Sequence, residues 1–206
     1  RHLEQVDLLR LDHFRALDSY WEVGGDKDIA VEGEWKPSPG KELLQLLKND
    51  CGGNLPLIAE DLGVITPEVE QLRDEFALPG MKILQFGFDG NVNNPYLPKN
   101  IQGECWVVYT GTHDNPTSLS WWNTLDIEAK EQINQVSKKF VESPVWSLIE
   151  MGLQTDARLF VAPLQDLLSL DDKARFNTPG TIGYVNQSYI RGKVRAAALK
   201  TFQVNS

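Results

Sequence analysis

Short apolar runs alternate with stretches of helical spacing along most of the chain. The apolar runs predict strands at 6–11, 55–59, 81–88, 106–109 and 159–162. Helical spacing predicts helices over 41–47, 66–76, 125–139, 145–151 and 191–202. Thr66, Pro67 and Glu68 are typical of a helix start, because they supply a capping residue, a proline at the first position and an acid facing the dipole. The alternation is typical of βα units with a parallel sheet.

Five predicted strands are too few for a closed (β/α)8 barrel, which needs eight. The chain also lacks an initiator Met and opens in mid-pattern. We therefore expect an α/β fold in which residues 1–206 form one partial catalytic barrel, about strands 4 to 8 of a TIM barrel, with the N-terminal strands upstream. Such a fragment is expected to be inactive and poorly folded alone. An open doubly wound sheet is the alternative, and it is disfavoured because no Gly-rich phosphate loop follows a strand.

Composition narrows the possible partners. The chain has 41% apolar and 24% charged residues, and its 29 acidic against 20 basic residues give a formal charge of −9. Nucleic-acid binding needs a clustered basic surface, so a nucleic-acid partner is not expected. No run approaches the roughly 18 apolar residues of a membrane span. Cys51 and Cys105 do not have CxxC or metal-ligand spacing, which favours two reduced thiols of an intracellular protein.

Three of the predicted strands end in carboxylates. Asp12, Glu60 and Asp114 each follow an apolar run. The carboxyl ends of the strands form the active-site face of a β/α barrel, so side chains distant in sequence converge there. A single acid at this position often caps the next helix, but three such acids predict a catalytic group.

Arg10 strengthens this prediction for Asp12. Residues i and i+2 of a strand point the same way, so the two side chains should lie together. A guanidinium beside a carboxylate favours its ionised form, which suits a nucleophile. For Arg10 alone, a structural ion pair is the simpler interpretation.

Several motifs, in order along nearly the whole chain, resemble those of glycoside hydrolase family 77, the 4-α-glucanotransferases or amylomaltases. RLDHFR (10–15), followed by YWE (20–22), resembles the family's nucleophile segment. IAEDLG (58–63) with TPEV (66–69) is similar to its acid/base segment, and PGMKILQF (79–86) to the strand that follows. YTGTHDN (109–115) with WW (121–122) resembles the segment of the third carboxylate, and PLQD (163–166) and NTPG (177–180) complete the series.

The resemblance implies retaining double displacement on maltooligosaccharides and other α-1,4-glucans, without a cofactor or a metal. Asp12 would be the nucleophile, Glu60 the acid/base, and Asp114 would hold sugar hydroxyls and favour the distorted ring of the transition state. The carboxyl groups of a retaining pair lie about 5–5.5 Å apart. Spacing alone does not decide between Glu60 and Asp61, since neighbouring strand residues face opposite sides. The resemblance selects Glu60.

The resemblance also implies sugar-binding residues. Arg10 and His113 would bind the substrate, and so would Asp89 and Asn177 from their loops. For His113 a structural loop role is the alternative, and for Asp89 and Asn177 a role in turns. Trp21, Trp121 and Trp122 could stack on sugar rings, but packing is the commoner role of such residues, and we assign them no place in the site.

Three positions and one stretch depart from the family pattern. These are Ala16, Lys99, Pro116 and residues 183–187. Two other functions stay open: a retaining α-glucan hydrolase of the same clan, and a non-catalytic glucan-binding half-barrel. The resemblance places the protein in the cytoplasm, or in the plastid stroma of a plant. Oligomeric state is left open by the sequence.

Overall fold

The computed structural model describes residues 2–27, 29–137 and 143–181. The chain divides into two compact units, one of Arg1–Met81 with Glu104–Val107 and one of Lys82–Gly103 with Val108–Ser206. The strands are β1 Leu9–Leu11, β2 Ser19–Val23, β3 Gly33–Pro37, β4 Leu57–Ala59, β5 Gly80–Ile83, β6 Trp106–Tyr109 and β7 Leu159–Val161. The helices are α1 Gly40–Asp50, α2 Pro67–Glu75, α3 Ser118–Thr124, α4 Ile127–Val136, α5 Pro144–Leu153 and α6 Leu164–Leu167. Within the described ranges, every helix is too short or too polar to cross a lipid bilayer.

The strand pair β1–β4 organises the first unit. The two strands are parallel, as predicted, and Leu11 lies opposite Ala59. Strand β1 is shorter than the predicted 6–11, because Val6 and Leu8 are exposed rather than buried. An apolar cluster packs beneath the pair and joins both helices of this unit to it; its buried members are Phe14, Leu44, Leu55, Leu57, Ala59, Val69, Leu72, Phe76 and Leu78. This core supports the carboxyl ends of β1 and β4.

Helix α2 begins where the sequence predicts. Thr66 occupies the N-cap position and Pro67 the first turn, but the Thr66 side chain makes no capping hydrogen bond to the backbone. Glu68 takes part in the helix start instead: its own backbone N–H, and then the Thr66 hydroxyl, lower the pKa of its carboxyl group. An ionised acid in the first turn interacts favourably with the helix dipole.

An antiparallel hairpin, β2–β3, was not predicted. Its register places Trp21 opposite Trp35. The two rings pack edge to face, with their centres 5.4 Å apart. The alternating pattern of this stretch is weak because both strands are largely exposed. Cross-strand aromatic pairing of this kind is one of the interactions that stabilise a two-stranded sheet.

The second unit corrects one predicted strand and shortens one predicted helix. The strand predicted at 81–88 ends at Ile83, and residues Leu84–Phe86 form a 3₁₀ turn. There the Gln85 side chain is buried and donates to the Pro116 carbonyl and the Ser118 hydroxyl, which an extended strand would not allow. The helix predicted at 125–139 is present as α4, which begins two residues later because Asp126 caps the backbone N–H of Ala129. It ends at Val136, and positions 138 and 139 lie outside the described residues.

Helix α3 precedes α4 and was missed; Thr117 caps it through the Ser120 N–H. Helix α5 and strand β7 lie where the sequence places them, within two residues at each end. Strands β5, β6 and β7 form a three-stranded sheet in that order. The helix predicted at 191–202 lies outside the described residues.

Candidate active site

Arg10 and Asp12 form an ion pair at the carboxyl end of β1. Arg10 Nη2 lies 2.6 Å from Asp12 Oδ1, which confirms that the two side chains point the same way. The other side of the guanidinium is fixed by a hydrogen bond of 3.4 Å from Nε to Met81 Sδ. Asp12 itself is 74% exposed, so its carboxylate is both charge-paired and accessible.

Glu60 lies at the matching end of the neighbouring strand. Because Leu11 pairs with Ala59, Asp12 and Glu60 each follow the last paired residue of their strands. Glu60 Oε2 accepts the His13 N–H at 2.8 Å, and Oε1 accepts the Leu62 N–H at 3.2 Å. The carboxyl group is therefore held by the backbone on both oxygens.

Asp61 has a different environment from its neighbour. It is 7% exposed, its Oδ2 lies 2.5 Å from Arg73 Nη1, and its Oδ1 accepts the Met81 N–H at 2.7 Å. Burial lowers the pKa of Arg73, but hydrogen bonds to Asp61 and Asp74 outweigh that effect and leave its pKa above the usual value. Gly80 is necessary here, because a Cβ would come within 2.5 Å of Asp61 Oδ2. The structure thus gives Asp61 a structural role and leaves Glu60 as the accessible acid of the pair.

A second group of predicted residues comes together in the second unit. Asp114 Oδ1 accepts the Asn177 side-chain amide at 2.7 Å, and His113 Nε2 lies 3.5 Å from Asp114 Oδ2. The Asn177 amide also approaches the His113 carbonyl at 3.4 Å. Asn177 therefore joins the neighbouring His113 and Asp114, more than sixty positions earlier in the chain, in one polar cluster.

The loop that carries Asp114 is held by hydrogen bonds to Asp166 and by bonds within the loop itself. Thr110 and Ser118 donate to the buried carboxylate of Asp166 at 2.6 and 2.7 Å, and the Ser118 N–H does so at 2.7 Å. The Asn115 side chain accepts both the N–H and the hydroxyl of Thr112 at 2.8 Å. These bonds hold the 110–118 segment in one conformation, so that His113 and Asp114 project from a fixed loop.

Arg175 and Phe176 belong to this surface and were not predicted. Arg175 Nη2 donates to the Asp114 carbonyl at 3.2 Å, and its Nε donates to the Asn177 carbonyl. A cavity of about 250 Å³ opens beside the cluster, with mostly apolar walls formed by Gly111, Thr112, His113, Pro116, Thr117, Pro163, Leu164, Gln165, Asp166, Arg175 and Phe176. The sequence offered one signal for Arg175: it is a charged residue two positions before Asn177. Alternate residues of an extended segment face the same side.

Asp89 bonds within its own turn. Its Oδ1 accepts the Asn91 N–H at 2.9 Å. That bond, followed by one from Asn94, lowers the pKa of the Asp89 carboxyl group. Asp89 therefore stabilises a turn, which was the alternative to sugar binding. Sugar binding by Asp89 stays a prediction. Among the described side chains, no group of three or more histidine, cysteine, aspartate or glutamate residues is arranged to hold a metal ion.

The chain is similar in sequence to a set of proteins that share one name. A family model described as 4-alpha-glucanotransferase matches residues 1–190. The 4-alpha-glucanotransferase of Synechocystis is 48% identical over 181 residues, covering 87% of this chain and 36% of that protein. The enzyme of the same name from Thermus thermophilus is 46% identical over 185 residues, covering 86% and 37%. The chain thus spans little more than a third of these relatives.

The solved structure of an amylomaltase from Streptococcus agalactiae, in complex with acarbose, superposes with a TM-score of 0.83 at 34% identity. The match covers 97% of this chain and 41% of that one. The predicted α/β class is thereby confirmed, whereas the assignment to strands 4 to 8 of the barrel stays a prediction.

Proposed function

Because the chain belongs to glycoside hydrolase family 77, the 4-alpha-glucanotransferase family, we propose that the protein carrying it transfers α-1,4-glucan segments between maltooligosaccharides with retention of configuration. The observation that carries this proposal is the placement of Asp12 and Glu60 at matching ends of two paired parallel strands. Asp12 is charge-paired and accessible, which suits a nucleophile.

The reaction proceeds in two displacements. In the first, an Asp12 oxygen bonds to the anomeric carbon, the glycosidic bond breaks, and Glu60 gives its proton to the departing oxygen. In the second, Glu60 takes a proton from an acceptor hydroxyl, whose oxygen bonds to the same carbon as the bond to Asp12 breaks. Two inversions give net retention.

The Asp114 cluster supplies binding in this proposal. A carboxylate, an amide and an imidazole offer both acceptors and donors to sugar hydroxyls. The exposed Phe176 ring beside them offers an apolar surface of the kind that packs on a pyranose face. Acarbose is an oligosaccharide analogue, so the acarbose complex of the S. agalactiae relative supports a glucan ligand. The compartment, cytoplasm or plastid stroma, stays a prediction.

The proposal is tested in the full-length protein with a slow fluorinated glucosyl donor. We expect mass spectrometry to find the sugar attached to Asp12. Glu60→Gln should reduce transfer from maltotriose about 10²–10⁴-fold, because proton transfer is lost, while Asp61→Asn should retain activity per folded molecule.

Product analysis identifies the acceptor. Free glucose together with longer chains from maltotriose marks a transferase. Steady growth of reducing ends would instead indicate hydrolysis, and a label on Glu60 or Asp114 would contradict the assigned roles.

A further inference from the structure

His13 adopts a backbone conformation that is uncommon for residues other than glycine. Its φ and ψ are 51° and 52°, in the left-handed region, and it lies directly after Asp12. A side chain with a Cβ is disfavoured there, so the surrounding structure must hold the conformation in place. His13 itself is exposed, and the group that meets Glu60 is its backbone N–H.

The left-handed turn brings two backbone groups to Glu60. The His13 N–H donates to Glu60 Oε2 at 2.8 Å, and the Phe14 N–H donates to the Glu60 carbonyl at 3.1 Å. The Glu60 N–H returns a bond to the Leu11 carbonyl at 3.0 Å. The segment bearing Asp12 thus holds both the main chain and the carboxyl group of Glu60.

We infer that His13 is a positioning residue for the acid/base group: its left-handed backbone aims an N–H at Glu60 Oε2 and sets the orientation of that carboxyl group. The inference rests on the proposed function. With Leu62 N–H on the other oxygen, rotation of the carboxyl group is restricted, and proton delivery depends on such placement.

Substitutions of His13 should then change turnover through the backbone φ angle that they favour, and not through loss of the imidazole. Glycine and asparagine adopt the left-handed region readily, alanine less so, and a β-branched residue such as valine least. His13→Gly and His13→Asn should therefore show much smaller losses than His13→Val. We expect His13→Val to reduce turnover of maltotriose about 10–100-fold, the effect of a displaced catalytic group.

A second glycosyl donor substrate distinguishes misplacement of Glu60 from a general loss of folding or activity. With α-maltosyl fluoride, the bond from the anomeric carbon to fluorine breaks, fluoride leaves with the electron pair, and the bond to Asp12 forms, so that no proton is needed. The first-turnover release of fluoride by His13→Val in the full-length protein should therefore fall less than about threefold. Glu60→Gln should show the same selectivity for donor, whereas Asp12→Asn should lose both reactions.

Ala77 provides a matched control for backbone strain. It also has a positive φ, 52°, and is an exposed residue just beyond α2. Ala77→Val should lower the melting temperature without changing the ratio of the two activities.

The outcomes separate the inference from the proposed function. Absence of disproportionation by the unmodified full-length protein overturns the proposed function. Activity of that protein together with equal losses on both donors in His13→Val, or no loss on either, overturns the role of His13 alone. If His13→Val does not fold, His13→Ala replaces it, and a donor ratio equal to that of His13→Gly overturns the inference.

Discussion

At the scale of single residues, Glu60 and Asp61 show how neighbours of similar chemistry acquire different roles. Glu60 is half-buried and accepts a backbone N–H on each carboxyl oxygen, whereas Asp61 forms a buried ion pair with Arg73. Arg73 is also held by Asp74 and lies over the Trp106 ring at 4.8 Å. Removal of one partner from such a pair leaves a charge without compensation.

We therefore expect Asp61→Asn to destabilise the protein by about 3 kcal/mol, the low end of the range for one partner of a buried pair. The matched variant is Asp74→Asn, which removes the 63% exposed partner of the same arginine and should cost less than about 1 kcal/mol. Urea unfolding of both variants measures the difference. Equal losses would show that burial does not govern the strength of this pair.

At the scale of elements, the β2–β3 hairpin depends on a close approach between its strands. A Cβ on Gly33 would lie 2.4 Å from the Glu22 carbonyl oxygen and 2.6 Å from the Trp21 indole nitrogen. That nitrogen donates to the Ala30 carbonyl at 2.7 Å, and the Arg15 guanidinium lies 4.1 Å from the Trp35 ring centre. Arg15 also donates to the Val64 carbonyl, so the hairpin is tied to the segment after Glu60.

Gly33→Ala should lower the free energy of unfolding by about 1–3 kcal/mol, because the added methyl overpacks the hairpin. Gly25→Ala, in the loop of the same hairpin, is the control, since nothing lies within 4 Å of its added Cβ. Denaturant titration of the two variants provides the comparison. Unfolding free energies that match would rule out steric contact at Gly33 as the constraint.

At the scale of the whole molecule, apolar side chains stand exposed on elements that this class of fold normally buries. Leu159 and Val161 of β7 are 37% and 41% exposed, and Leu164 of α6 and Phe176 are exposed as well. Strands of an α/β sheet are usually covered on both faces. Exposed apolar patches of this kind bind other surfaces or cause aggregation.

The 206-residue chain expressed by itself should therefore bind a hydrophobic dye such as ANS and show no disproportionation of maltotriose. Adding, as a separate polypeptide, the remaining part of a longer relative should reduce dye binding and restore transfer. Leu159→Ser with Val161→Ser, made in the chain alone, should weaken dye binding without restoring activity. A sharp unfolding transition with measurable transfer by the chain alone would be the contrary result.

The sequence by itself determined the features that depend on near neighbours. The α/β class, strand β6 and the starts of α2 and α5 follow from apolar periodicity and from residues that begin helices. The Arg10–Asp12 pair follows in the same way, because side chains two positions apart on a strand lie on one side.

Tertiary structure decided the features that depend on partners distant in the chain. Asp61 rather than Glu60 is buried because Arg73 and the Met81 N–H meet it there. Strand β5 ends early because Gln85 reaches Pro116 and Ser118, and Asp114 meets Asn177 across 63 positions. Hydrogen bonds and ion pairs of this kind form only when packing brings the two segments together, and no local pattern in either segment records its partner.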